Sequence, residues 1–476
     1  MNLATSTKGS AKKKPGEGFK VPHTLVIVSV IIILVAIATY FVPGGAYEKA
    51  VNEAGKTVVV DGSFQYVESK PQGLAEVLQA PIQGIIAGAE TIAFLFIVGG
   101  AFNIITKTKA IDFGIMRIVN VFKGVEILII PILFFMFSLG GAVFGMTEEA
   151  IPFIAMMVPL TLVLGYDSIV AVAITYLACN TGFASAMLNP FNVGVAQSIA
   201  EIPMYSGVVY RTIIWFISTV VVIIFIMMYA SKIKKNPKLS PVYEIDQKKR
   251  QDIKNFENQH DQFLLSHKLI LLSLAVCIGI IVWGVLAKGF WIPQIAAVFL
   301  ATGLLAGIIG KLSTDEMADA FIMGAKDMIG AAVILGFARG IVILAENAHI
   351  IDTILFHLAQ VLGGISGIIA SYLMLPIQMF INFFISSGSG QAALTMPILA
   401  PLGDLIGISR QLTVLIFQLG DGFSNAMFPT SGVLIACLGV AGIPYAKWLK
   451  WILPLQGILF ILGIAFITIA QVMGWN

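Results

Sequence analysis

The chain has 476 residues, of which 58% are hydrophobic and 12% charged, and its mean hydropathy is +0.92. A soluble globular protein carries about 25% charged residues, so this composition excludes a water-soluble fold and calls for lipid as the solvent. The net charge of +3 is too weak to suggest nucleic acid as a partner, and the three cysteines (Cys179, Cys277, Cys437) lie in apolar runs without pairing or metal-ligand spacing.

Residues 1–22 read as a disordered cytoplasmic tail. They carry Lys8, Lys12, Lys13, Lys14 and Lys20, and basic flanks mark the cytoplasmic side of a span. No small-residue cleavage site follows, so the apolar run behind the tail is a transmembrane helix rather than a cleavable signal. Residues 23–80 comprise that first helix, Leu25 to Val42, and an external loop with a β-like KTVVVDG stretch. Residues 81–230 begin with an apolar run, Ile82 to Ile105, followed by Lys107, Lys109, Arg117 and Lys123. A span from Val125 meets a Gly-rich acidic interruption, GGAVFGMTEEA, and the run Ile169 to Ala178 is broken by NTGFASAMLNPFN.

The linker 231–267 holds the densest basic cluster, including Lys232, Lys234, Lys235, Lys238, Lys248, Lys249, Arg250 and Lys254, and reads as a solvated cytoplasmic topology signal. Residues 268–326 supply two scaffold spans, Leu269 to Leu286 and Ile295 to Gly310, and a short polar helix with Asp315, Glu316 and Asp319. Residues 327–476 form a second block of broken spans.

The two blocks repeat one another. Gly182-Phe183-Ala184-Ser185-Ala186-Met187 matches Gly422-Phe423-Ser424-Asn425-Ala426-Met427 at an offset of 240, and Ile111-Asp112 matches Ile351-Asp352 at the same offset. The Gly-rich interruption before Pro159-Leu160 corresponds to FFISSGSGQAALTMPILAPLGD, which contains Pro401-Leu402. Basic residues follow the opening span of the first block, whereas Glu346 to Ser366 has none, so the repeats are inverted.

Inverted repeats with broken spans are a transporter signature, because unwound backbone is tolerated in a membrane only around a cavity. Four breaks are expected, at 140–150, 180–193, 386–392 and 420–432. Half-helix ends and unpaired carbonyls there would receive ions. The first break offers Thr147, Glu148 and Glu149; the glutamates are ionisable groups within a span and so candidate cation receptors. The second offers Asn180, Thr181, Ser185, Asn189 and Asn192, with Pro190 interrupting the helix. The third offers Ser386, Ser387, Gly388, Ser389, Gly390 and Gln391, and the fourth Asp421, Ser424, Asn425, Thr430 and Ser431. A sodium site is conceivable near Asn180, Ser185, Asp421 and Asn425. Arg339 and Asp404 are further charges placed within apolar segments, and His349 and His357 fall near the external face.

The stretches GMTEEAIPF, GFASAMLNPF, FFISSGSGQAALTMPILAPLGD and FQLGDGFSNAMFPTSG resemble the YfcC-type family of basic amino-acid antiporters, which is related to the C4-dicarboxylate anaerobic carriers. The resemblance runs from about Phe19 through nearly the whole chain. It implies membership of the ion-transporter superfamily: homodimers with a fixed scaffold and a moving domain that carries two re-entrant hairpins, here about 139–163 and 382–405. The superfamily's Ser-Asn-Thr motifs are not reproduced. Asn180-Thr181 and Ser424-Asn425 stand at comparable places, which leaves the coupling ion open between Na+ and H+.

The expectation is an all-α polytopic, elevator-type secondary transporter of the bacterial inner membrane, without a resident cofactor. Its solute would be an amino acid, most readily a basic one such as arginine or ornithine, with a C4-dicarboxylate or other small carboxylate as the alternative. A membrane serine protease, suggested by Gly388-Ser389-Gly390, lacks a neighbouring base. An ATP-driven pump lacks a nucleotide motif. A channel would differ from a carrier in showing neither saturation nor counter-exchange.

Overall fold

The computed structural model describes residues 24–51, 57–60, 62–111, 113–114, 117, 124–257 and 264–475. The lysine-rich tail and Asp112 lie outside the described residues. The chain is mostly helical. Among the described residues six helices are long and apolar enough to cross a membrane: Ala89–Lys107, Glu126–Val143, Val208–Lys235, Ile292–Ile309, Gly367–Phe384 and Tyr445–Val472. Several other apolar helices have about 14 residues. At 1.5 Å per residue these cover roughly 21 Å of a hydrocarbon layer about 30 Å thick, so each reaches only part of the way.

Helix α1 (Thr24–Ala38) ends sooner than its apolar run suggests, because the Thr39 hydroxyl turns back onto the Ala36 carbonyl at 2.6 Å. The loop that follows departs from an all-α plan. Its strands β1 (Gly45–Ala46) and β4 (Gln65–Tyr66) pair antiparallel, as do β2 (Lys49–Val51) and β3 (Thr57–Val59). The loop is pinned to a later helix, α14 (Ile350–Gly363). Gly45 N donates to the His349 carbonyl at 2.9 Å, Tyr66 Oη meets His357 Nε2 at 3.1 Å, and Phe64 stacks on Phe356. Both histidines therefore serve as anchors for the loop.

The run expected as one span from Ile82 is two helices, α2 (Leu74–Ala87) and α3 (Ala89–Lys107), divided at Gly88. Then come α4 (Ile129–Phe144) and α5 (Ala150–Val163), which form a first hairpin. Helix α6 (Ser168–Ala184) contains a wide turn at 173–177. The break after it, 185–189, leads into a second wide turn and α7 (Val195–Ile199), and α8 (Val208–Lys235) completes the half.

Beyond α9 (Tyr243–Glu257) lie α10 (Leu265–Lys288), α11 (Ile292–Ile309), α12 (Thr314–Asp327) and α13 (Ile329–Asn347). Helices α15 (Gly367–Phe384) and α16 (Gly388–Leu405) form a second hairpin. The chain then runs through α17 (Arg410–Asn425), a break at 426–431, α18 (Gly432–Ala441) and α19 (Tyr445–Val472).

Helix lengths recur along the chain. Helices α2 and α12 both have 14 residues, α3 and α13 both have 19, and α8 and α19 both have 28. The packing recurs as well. Helix α2 crosses α13 where a Cβ on Gly84 would lie 2.0 Å from the Gly336 carbonyl oxygen; α12 crosses α3 where one on Gly324 would lie 2.1 Å from the Gly99 oxygen. Gly84 and Gly324 are 240 positions apart, the same offset as the sequence matches. Membrane helices use small residues to bring backbones this close. The glycine of each GF-x-x-AM motif has a similar duty. A Cβ on Gly182 would meet the Ser138 carbonyl oxygen at 1.9 Å, and one on Gly422 would meet Ala184 Cα at 2.2 Å.

The linker is more than a solvated charge run. Its helix α9 docks on the ends of three others. Arg250 donates to the carbonyls of Leu162, at 2.9 Å, and of Tyr166. Lys249 Nζ donates to the Ala441 carbonyl at 2.7 Å, to Ser168 Oγ at 2.9 Å and to Asp246 Oδ1 at 2.9 Å. Buried Asp246 also accepts from Ser168 N at 2.8 Å. Helix C-termini expose carbonyls without intrahelical partners, and cations are favoured there. The basic residues of α9 thus cap α5 and α18, which belong to different halves. Arg250→Ala is expected to lower the thermal unfolding midpoint in detergent by a few degrees, since hydrogen bonds to a charged group contribute about 1.5–3 kcal/mol. Exposed Lys248→Ala serves as the control and should leave the midpoint unchanged.

Candidate functional site

The two hairpin tips and the two broken helices converge on one cavity of about 240 Å³. That is smaller than a drug-sized pocket, which is suited to ligands larger than a small metabolite. The first tip contributes Gly145, Thr147, Glu148 and Glu149, and the second Ser386, Ser387, Gly388 and Ser389. The broken helices add Tyr176, Asn180 and Phe183 from α6, Asn425 from α17, and Ser431, Gly432 and Val433 where α18 begins. The remaining wall comes from Ala87, Glu90 and Thr91 at the α2–α3 break, Leu335 and Arg339 on α13, and Phe290, Trp291 and Ile292 at the start of α11. Phe191 and Trp291 pack as an aromatic pair with centroids 5.1 Å apart.

The tips are held by their own side chains. Glu149 Oε2 accepts from Thr147 N at 3.0 Å, and Glu148 accepts from the Thr147 hydroxyl. Ser387 caps α16 by accepting from Gly390 N at 3.4 Å, and the Ser386 hydroxyl donates to the Thr430 carbonyl at 3.0 Å. Glycines at the tips allow close approach to polar side chains behind them. A Cβ on Gly145 would lie 2.7 Å from Asn189 Oδ1, and one on Gly388 would lie 3.0 Å from Asp421 Oδ2.

The carbonyls near the break at 426–431 are occupied, contrary to the expectation that they stand open to a cation. Asn180 Nδ2 donates to the Gly422 carbonyl at 3.0 Å and Tyr176 Oη to that of Asn425 at 3.0 Å. Trp448 Nε1 donates to Ala426 at 2.8 Å and Tyr445 Oη to Met427 at 2.6 Å. Side chains here do what lipid cannot, which is why the backbone can unwind at this depth. Two of these donors, Tyr176 and Asn180, come from the other half of the chain.

The sequence candidates divide accordingly. Thr147, Glu148, Glu149, Asn180, Ser387, Gly388, Ser389 and Asn425 line the cavity; Thr181, Asn189, Gly390, Gln391, Asp421, Ser424 and Thr430 do not. The second set lies behind the lining, buried except for half-buried Gly390, and is engaged locally, Gly390 and Thr430 through the backbone contacts already given. Thr181 Oγ1 donates to the Leu177 carbonyl at 2.7 Å, and Asn189 caps the next helical turn by accepting from Phe191 N at 2.8 Å. Gln391 Nε2 binds the Gln378 side chain at 2.6 Å, and Ser424 Oγ donates to the Gly420 carbonyl at 2.7 Å.

Asn180 and Thr181 are helical rather than part of the break, because the helix runs on to Ala184. Asp421, fully buried, accepts from Asn192 Nδ2 at 2.6 Å and Asn425 Nδ2 at 3.4 Å. Of the residues named for sodium, Asp421 and Asn425 touch, whereas Asn180 and Ser185 give their hydrogen bonds to backbone carbonyls. Asp404 is no buried charge. It is exposed at the foot of the second hairpin and pairs at 2.8 Å with Arg410, which also reaches Glu201 at 2.9 Å.

Glu90 was hidden in a run read as continuous apolar span. The rule that flags an ionisable group inside a span singles it out as it does Arg339. Phe290 and Trp291 carried no such signal, since their place follows from how α10 and α11 pack. Ser389 lines the cavity, but no histidine among the described residues does.

The model of the C4-dicarboxylate anaerobic carrier family, DcuC, matches residues 21–472. The chain is 41% identical to an Escherichia coli K12 protein named "Putative basic amino acid antiporter YfcC", over 98% of this chain and 99% of that one. It is 33% identical to an uncharacterized Haemophilus influenzae protein, over 88% of this chain and 82% of that one. Among solved structures, the Alcanivorax borkumensis YdaH transporter aligns with a TM-score of 0.40 and 16% identity, covering 95% of this chain and 99% of that one. Neisseria gonorrhoeae MtrF aligns with a TM-score of 0.42 and 17% identity, covering 94% and 95%. With a family match spanning almost its full length, multiple spans and a polar cavity among broken helices, the chain belongs to the C4-dicarboxylate anaerobic carrier family and is a membrane transporter.

Proposed function

We propose that this transporter is a secondary active antiporter of basic amino acids in the bacterial inner membrane. The observation that carries this reading is the position of Glu148 and Glu149, which line the cavity from the first hairpin tip with no ion pair to a basic side chain among the described residues. Two carboxylates facing a small cavity make a receptor for a cationic group. The name of the E. coli relative agrees with that reading.

The recurring helix lengths and the matched crossings at Gly84 and Gly324 support two inverted repeats. In this reading the hairpins and broken helices slide together past a dimeric scaffold that includes α1, α10 and α11, with the N-terminus cytoplasmic. A coupling H+ or Na+ would be read at Asp421, because the neighbouring carbonyls already have donors. The competing solute is a C4-dicarboxylate, in line with the family's name. Arg339 and the Ser387-capped N-terminus of α16 are the groups that would receive it.

The test is uptake of labelled arginine by proteoliposomes preloaded with ornithine. Saturable counter-exchange of basic amino acids is expected, with no acceleration by internal dicarboxylate. Exchange driven by dicarboxylates alone would replace this reading with the competing one, and a non-saturating flux would mark a channel.

A further inference from the structure

The cavity has a second pair of charged groups, outside the two hairpin tips. Arg339 and Glu90 both line it. They come from α13 and from the first turn of α3, elements that belong to neither hairpin and neither broken helix. Arg339 lies against the α2–α3 break, where a Cβ on Gly88 would lie 3.7 Å from its Cγ, and Glu90 is in the first turn beyond that break. Neither side chain makes a hydrogen bond or ion pair among the described residues; Arg339 is half-buried and Glu90 is exposed. A cation and an anion that line the same small space, neither held by a hydrogen bond or ion pair among the described residues, match a solute that carries the opposite pair on one end.

We propose that Arg339 and Glu90 bind the α-carboxylate and α-ammonium of an amino acid, while Glu148 and Glu149 bind the cation at the far end of its side chain. This inference rests on the basic amino-acid reading and adds to it. The solute must be zwitterionic at one end and cationic at the other, so diamines and dicarboxylates are each mismatched. A diamine leaves the Arg339 guanidinium unpaired, and a dicarboxylate brings negative charge against three carboxylates. An unpaired charge in a partly desolvated site is costly, which makes this a selective filter as well as an attractive one. Arg339 is suited to the carboxylate because its planar fork can donate two parallel hydrogen bonds.

Three solutes separate the poles: ornithine, putrescine, which lacks the carboxylate, and 2-aminopentanoate, which lacks the side-chain ammonium. Binding is read by thermal shift and by competition against labelled ornithine. Wild type should prefer ornithine to either analogue by about tenfold or more, the size expected for losing one charge-assisted contact. Arg339→Gln should weaken ornithine and 2-aminopentanoate by about tenfold while putrescine binding is retained or tightened, because the unpaired guanidinium is gone, so that its preference for ornithine over putrescine collapses. Undiminished putrescine binding also shows that the variant is folded.

Arg339→Lys, which keeps the charge without the fork, should recover part of the ornithine affinity and covers the case in which the glutamine variant is unstable. Glu90→Gln should weaken ornithine and 2-aminopentanoate together. Equal loss of ornithine and putrescine in Arg339→Gln, or ornithine binding that is insensitive to both Arg339 variants, would overturn the two-pole assignment. If wild type binds no basic amino acid at all, the proposed function itself fails, and that outcome is distinct.

Discussion

Replacing Glu149 with Gln is expected to cut arginine exchange at subsaturating concentration by about tenfold to a hundredfold, from the loss of a charged contact of about 1.5–3 kcal/mol. The substitution is nearly isosteric. The amide oxygen of Gln can still accept from Thr147 N, which Glu149 Oε2 does at 3.0 Å, so the tip keeps its shape and the loss reports charge alone. Glu148→Gln should behave similarly, because a Gln carbonyl still accepts from the Thr147 hydroxyl. The double variant should lose more than either single one. Undiminished uptake in both single variants would remove the pair from the substrate pole. Their side-by-side placement also predicts that neither single variant is silent, since one remaining carboxylate cannot hold the cation from two directions.

The second large effect concerns folding rather than transport. Gly84→Val and Gly324→Val should each abolish monodisperse protein in size-exclusion chromatography of detergent extracts. In both, a new Cβ would sit about 2 Å from a carbonyl oxygen on the facing helix, far inside contact distance, and backbone against backbone has no rotamer to yield. Overpacking a tight core costs about 1–3 kcal/mol where side chains can adjust; here the helices themselves must separate. Gly279→Val and Gly457→Val are the controls. Both lie within helices and a Cβ at either meets nothing within 4 Å, so both variants should run like wild type. A monodisperse Gly84→Val protein with an unchanged midpoint would show that the close α2–α13 crossing does not hold the fold together.

Sequence reading located the hairpin tips because they break two rules at once: glycine clusters interrupt apolar runs, and carboxylates appear where lipid should be. Glu148 and Glu149 were legible for that reason. The limits of the breaks were less so. Asn180, Thr181 and Asp421 sit beside Gly-rich motifs and look unwound, yet the helices continue through them because Asn180 and the buried amides around Asp421 satisfy local needs.

The division at Gly88 was hidden, since a single glycine between apolar residues carries no period of its own. Glu90 went with it. The donors that cover the break at 426–431, Tyr176, Tyr445 and Trp448, are aromatic residues in apolar surroundings and read as core until their partners are known. Composition likewise shows that the linker is basic, but not that Lys249 and Arg250 reach carbonyls belonging to α18 and α5.

That linker contact bears on how the two halves recognise each other. Suppose the polypeptide were divided into two separately expressed fragments. A cut within 258–263 leaves α9 attached to the first fragment, with Lys249 ready to engage the Ala441 carbonyl of the second. A cut at 236–242 sends α9 to the second fragment, and Arg250 must then find the Leu162 and Tyr166 carbonyls across the gap. Either way, one set of contacts becomes an interface between fragments. The helix therefore acts as an adaptor that belongs to both halves and is interchangeable between them, so reassembly should succeed from both cuts and fail only when α9 is deleted from each fragment.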